Sequence, residues 1–117
     1  YPWSVPANDA TVDCAHANYI GCGFLPKPVG VLSAGDGRWG HSDLAGSEWE
    51  WSVDWYATPL PFASLTDGAN LTPGTGRSFR GGSFGDGASG ILTSARKADQ
   101  KISAHHPGIG IRCARTP

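Results

Sequence analysis

Polar and apolar residues alternate most strictly from Ser47 to Trp55, where Trp49, Trp51, Val53 and Trp55 share one parity and Glu48, Glu50, Ser52 and Asp54 the other. That two-residue period predicts a β-strand with one face buried and the other in water. Arg77 to Phe84 predicts a second short strand ending in Gly81-Gly82, where missing side chains suit positive φ or close backbone approach. Ile91 to Lys97 suits either a helical turn or a strand. Near the end, Ile109, Ile111 and Cys113 alternate with Gly110, Arg112 and Ala114, which predicts a terminal strand. No segment carries the apolar period of an amphipathic helix of useful length, and no internal repeat is present.

Between these elements the chain is full of breakers. Tyr1 to Gly30 places Pro2, Pro6, Pro26 and Pro28 around Cys14 and Cys22, which reads as irregular coil held by a cross-link. Gly35 to Gly40 is a turn-rich loop, and Thr58 to Gly76 is a long surface loop. With 17 glycines and nine prolines among 117 residues, loops must dominate a single small domain spanning residues 1–117.

Charge narrows the choice of function. Charged residues make up only 16%, and nine Lys and Arg nearly cancel ten Asp and Glu, which argues against nucleic acid or an anionic membrane surface as a partner. No apolar run approaches the roughly 18 residues of a membrane-spanning helix, so a soluble chain is expected. The sequence has no methionine, which leads us to expect a processed product or part of a longer polypeptide.

Three cysteines cannot all pair within one chain. Cys14 and Cys22 are close in sequence and flank Asn18, and closing so short a loop stabilises by about 2.5 kcal/mol in the chain-entropy model. We expect that bridge, and with it an oxidising compartment, secreted or at the cell surface. Cys113 is left over, and a buried free thiol is one reading of it.

Weaker patterns resolve to structure. Gly35-x-Gly37-x-x-Gly40 matches a dinucleotide fingerprint in letters, but no strand and helix frame it, so it is a turn. His16, His41, His105 and His106 lack metal-ligand spacing. Trp39, Trp49, Trp51 and Trp55 could stack on sugar rings, although tryptophans alternating on a strand usually build a core. Asn70-Leu71-Thr72 matches a glycosylation acceptor. Ser83 has no visible His or Asp companion and reads as a loop hydrogen-bonder rather than a nucleophile.

Three blocks in order carry more information: Gly40-His-Ser-Asp-Leu-Ala-Gly-Ser-Glu-Trp-Glu-Trp51, Arg80-Gly-Gly-Ser-Phe84 and Gly110-Ile-Arg-Cys-Ala114. Together with Tyr1-Pro2-Trp3 and the Ala17-Asn18 pair of a cysteine-containing bacterial branch, they resemble the formylglycine-generating enzyme (sulfatase-modifying factor) family along essentially the whole chain. The resemblance implies an α+β, irregular and loop-rich C-type-lectin-like fold with short β-strands and little helix, of which this chain is the C-terminal part. It also implies a companion chain or segment supplying the N-terminal half, or self-assembly, with Cys113 bonded to a cysteine there.

Formylglycine-forming members bind copper through two cysteines after the Gly-Gly-Ser segment, and soft thiolates are the ligands that monovalent copper requires. Phe84 to Arg96 contains no cysteine, and Asp86 stands roughly where the first thiolate would be. The resemblance therefore implies a chain without catalytic residues of its own.

What the family does suggest is calcium, held by the Asp43 and Glu50 side chains with the Gly46 and Glu48 carbonyls, an all-oxygen set suited to a hard cation. On the residues alone, Glu48, Glu50 and Asp54 are equally the solvated face of a strand. A second family calcium site would use Asn18 and the Tyr19 carbonyl, but no Asp or Glu lies between Asp13 and Asp36, so that site lacks an evident acidic ligand. The expected function is a non-catalytic, calcium-stabilised extracellular scaffold or binding and assembly module. The alternatives are the substrate-binding half of a metal-dependent oxidase, with Trp49, Ser83 and Arg96 as its floor, and a lectin-like carbohydrate binder.

Overall fold

The computed structural model describes residues 1–59, 68–99 and 106–113. Four strands form one sheet: β1 (Trp49–Trp55), β2 (Arg77–Arg80), β3 (Lys97–Asp99) and β4 (Ile109–Gly110). Their order is β3-β2-β1-β4, with β1 antiparallel to β2, β2 antiparallel to β3, and β4 parallel to β1. Two 3-10 turns, Ser33–Gly35 and Ala88–Ile91, are the helical content among the described residues. The rest of the described residues are loop and turn, as the glycine and proline content predicts.

β1 follows the alternation only in its first half. Trp49 is buried and Trp51 sits edge-on against Phe79 of β2, with ring centroids 4.2 Å apart. Glu50 pairs with Arg80 and Trp51 with Phe79, but the next pair is Trp55 with Arg77, so β1 bulges between Trp51 and Trp55. A bulge turns the strand and breaks the period of two. Val53, expected in the buried row, is 62% exposed as a result. The Arg77 guanidinium donates to the Val53 carbonyl and packs over Trp55 at 4.2 Å, closing the bulge from the β2 side.

The other strand boundaries are shorter than the sequence pattern suggests. β2 stops at Arg80 because Gly81 and Gly82 take φ of 93° and 78°, a left-handed turn that side chains resist. A Cβ on Gly82 would also run into Ile91, which is fully buried. The Ile91 to Lys97 segment is neither alternative in full: the second 3-10 turn ends at Ile91, a turn closes between Leu92 and Ala95, and β3 begins at Lys97. The terminal strand covers Ile109–Gly110 alone, leaving Ile111 78% exposed. Cys113 is likewise exposed, which overturns the buried-thiol reading.

The core is small. Ala17, Ala45 and Ile91 form its centre, with Tyr1, Trp3, Val12 and Tyr19 packed against them and Trp49 and Phe79 buried under the sheet. Tyr1 and Trp3 stack at 5.0 Å. The N-terminal coil is tied by the predicted Cys14–Cys22 disulfide, whose Cα atoms lie 5.3 Å apart. Asn18, inside that loop, bridges to Gly46, and Ser47 donates to the Asn18 carbonyl at 2.7 Å, so the cross-linked loop is anchored to the segment leading into β1.

Candidate functional site

Three polar centres surround the sheet. The first is built on Asp86, three residues after Ser83, in the turn that follows the Gly81-Gly82 corner. Its Oδ2 accepts from Trp49 Nε1 at 2.6 Å, from the Ser83 backbone N–H at 3.0 Å and from Ser83 Oγ at 2.5 Å. Its Oδ1 accepts from Lys97 Nζ at 2.6 Å, and the same ammonium lies 4.8 Å from the centre of the Trp49 ring. Burial works against ionisation here, but hydrogen bonds from Lys97, Ser83 and Trp49 outweigh it and hold the carboxyl below its ordinary range. An open cavity of about 380 Å³ lies against this centre, with Trp49, Phe79, Lys97, His106 and Ile109 in its wall.

Ser83 thus has both an Asp beside it and a His in the same cavity, which sequence reasoning did not anticipate. The geometry is not that of an activated nucleophile. Ser83 Oγ is spent on Asp86, and His106 Nδ1 accepts from the Gly108 N–H at 3.1 Å. Arg96, expected on the floor with Trp49 and Ser83, instead donates to the Ala57 carbonyl at 3.2 Å and packs on Tyr56, while the neighbouring Lys97 lines the cavity.

The second centre contains the expected calcium residues. Asp43, Glu48 and Glu50 line one cavity of about 200 Å³, together with Lys27 and Arg112. Three of the four carboxylate oxygens of Asp43 and Glu50 are taken. Glu50 receives Arg112 Nε at 2.8 Å and Nη2 at 2.7 Å in a two-pronged pair, and Asp43 Oδ2 accepts the Gly30 N–H at 2.7 Å. The Gly46 carbonyl accepts the Glu48 N–H at 2.8 Å. Among the described residues no three His, Cys, Asp or Glu side chains converge as metal ligands do. Asp43, Glu48 and Glu50 are brought to one cavity, and in this arrangement the charge facing Glu50 is a guanidinium.

The third centre is the doubtful one of the sequence reading. Asn18 is 1% exposed, and its Nδ2 donates to the Leu25 carbonyl at 3.0 Å, which turns Oδ1 the other way. That Oδ1 is buried without a donor, and so is Asp36 Oδ1. Gly35 packs so tightly on the His16 carbonyl that a Cβ there would overlap it, which lays the Asp36 segment against the turn carrying Asn18. Buried acceptors without donors are costly and uncommon. Asn18 Oδ1, Asp36 Oδ1 and the Tyr19 carbonyl are hard oxygens of the kind calcium takes. Asp36 is the first acidic residue after Asp13 in the sequence. Gly35 is what permits the close approach of this segment to His16.

The remaining candidates resolve simply. Gly37 and Gly40 close a tight turn, with Gly40 N donating to the Gly37 carbonyl at 2.8 Å. Asn70 is 8% exposed and its Nδ2 donates to the Trp55 carbonyl at 2.8 Å, so its amide is not presented for glycosylation. Of the four tryptophans considered for sugar stacking, Trp39 alone is largely exposed, at 80%. His16 pairs with Asp13 at 2.7 Å, and His105 lies outside the described residues.

A short, strongly loop-embedded sheet with a Gly-Gly-Ser corner under a buried tryptophan defines the class: a C-type-lectin-like domain of the formylglycine-generating-enzyme kind. The chain belongs to the sulfatase-modifying factor enzyme 1-like domain family, whose family model matches residues 1–117. PvdO from Pseudomonas aeruginosa is similar in structure, with a TM-score of 0.78 at 21% identity over 95% of this chain and 43% of that one. Treponema denticola variable protein 1 is similar at a TM-score of 0.68 and 24% identity, over 83% of this chain and 34% of that one. The chain therefore spans less than half the length of either neighbour. No curated protein matches it.

Proposed function

We propose that this chain is a non-catalytic binding or assembly module, the C-terminal part of a formylglycine-generating-enzyme-like domain whose metal chemistry has been replaced by an internal ion pair. The observation that carries this reading is Asp86. Where the resemblance puts the first copper thiolate, a carboxylate sits with Trp49, Ser83 and Lys97 already donating to it. A hard carboxylate whose two oxygens together take four donors is a poor ligand for monovalent copper. The module works as a rigid core presenting loops, a role in keeping with one structural neighbour's name as a variable protein. The Cys14–Cys22 disulfide supports an extracellular setting.

Calcium enters this reading at Asn18, Tyr19 and Asp36, where it would satisfy the two donorless oxygens and fasten the cross-linked loop to the Gly35 turn. Ligand binding at a hundredfold excess over the dissociation constant adds about 2.7 kcal/mol to a small fold. The rest of the domain, the part for which both neighbours have additional length, is supplied by a companion segment or by a second copy.

Metal analysis of the native protein tests the proposal. Calcium bound without stoichiometric copper or iron, with chelator lowering the melting midpoint and Asp36→Ala abolishing that sensitivity, is the expected result. Stoichiometric redox metal that is lost on Asp86→Ala substitution would establish the enzyme reading instead.

A further inference from the structure

The second centre poses a question that the module reading leaves open: what holds the acidic loop before β1 in place if calcium does not? We infer that Arg112 is the resident cation of that site, so that the Asp43 to Glu50 loop is set by a guanidinium and is independent of metal. This goes beyond the proposed function and rests on different residues from the Asn18 and Asp36 site.

The argument is geometric. Arg112 follows β4 by two residues, and its side chain reaches back across β1. Nε and Nη2 take both oxygens of Glu50, and Nη2 also donates to the Ser42 carbonyl at 2.9 Å and the Asp43 carbonyl at 3.3 Å. One planar group therefore gathers a carboxylate and two main-chain carbonyls, the kind of oxygen set a hard divalent ion would collect. It ties the end of β4 to the loop and to β1 over a sequence separation of 62 to 70 residues. Asp43 adopts φ of 56°, and its Oδ2 accepts the Gly30 N–H. A calcium ion placed against Glu50 would have to displace the guanidinium or bear its repulsion at close range. An ammonium could supply the charge but not the flat fork that spans Glu50 and two carbonyls.

A double-substitution cycle between Arg112 and Glu50, melted in calcium and in chelator, tests this in the full chain. We expect Arg112→Gln and Glu50→Gln each to lower the midpoint by about 2–5 °C, with the double variant no worse than either single one. We expect Arg112→Lys to recover less than half of the loss, and Glu50→Gln to leave the amount of bound calcium unchanged. Loss of bound calcium in Glu50→Gln, or additive single effects, would overturn the inference. Terbium luminescence provides a readout that does not depend on stability: Arg112→Gln should gain a terbium site sensitised by the nearby tryptophans relative to the native chain, whereas a site already present in the native chain and lost in Glu50→Gln defeats the idea. A native chain that binds no calcium at all would remove the Asn18 and Asp36 reading and leave this one intact.

Discussion

Trp49 and Asp86, separated by 37 positions in sequence, meet through an indole N–H donated to a carboxylate at 2.6 Å. This bond joins the start of β1 to the turn beyond the Gly81-Gly82 corner, and it fixes a tryptophan that is 6% exposed. Replacing the carboxylate by an amide keeps an acceptor for Trp49 but loses the ion pair with Lys97. Asp86→Asn should therefore destabilise the chain at neutral pH by about 1–2 kcal/mol, mostly by removing the charge that strengthens the Trp49 and Ser83 hydrogen bonds, because the Lys97 arm is exposed.

The same residue gives a pH signature. Because the folded state holds the Asp86 carboxyl below its ordinary value, its contribution is complete above the unfolded carboxyl value of about 3.9 and is lost as pH falls through the folded value. Melting midpoints of the native chain and Asp86→Asn, measured from pH 7 down to pH 2, should converge at the acid end. A constant gap would show that the aspartate acts by shape alone.

Gly82 combines a left-handed backbone with too little room for a side chain. Alanine there meets two costs, a left-handed φ of 78° and a methyl directed into buried Ile91. Gly82→Ala should lose about 2–4 kcal/mol, a drop on the order of 10 °C in the midpoint, whereas Gly87→Ala, with open space around its Cβ, should change it little.

These residues also mark how far the sequence could be read. The tryptophan alternation gave β1, and the Gly-Gly pair gave the corner, because both are local properties of the chain. The bulge that exposes Val53 depends on pairing with β2, so no period within β1 could reveal it. Asp86 was placed by resemblance, but its donors come from β1, β3 and its own turn, and only the folded sheet assembles them. Asp36 is absent from the expected ligands because what lays its segment against the turn before Asn18 is the packing of Gly35 on His16, which no spacing reveals. Arg112 lay in a recognised block, but the block says nothing about which carboxylate the guanidinium would find.

The last prediction concerns the three cysteines. Cys14 and Cys22 form the disulfide, and Cys113 is an exposed thiol beyond β4. An aromatic disulfide reagent should therefore titrate one thiol per chain in the native protein and three after reduction and unfolding, in agreement with the three cysteines of the sequence. Opening the bridge by Cys14→Ser with Cys22→Ser should cost about 2–3 kcal/mol by loop entropy. On the proposed calcium reading it should also weaken calcium binding, because Asn18 lies inside the closed loop. Thermal melts of that double variant with and without chelator separate the two effects: the loss in chelator reports the cross-link alone, and any further loss in calcium reports the misplaced ligand. A variant whose calcium response matches the native chain would show that the bridge stabilises the N-terminal coil without shaping the ion site.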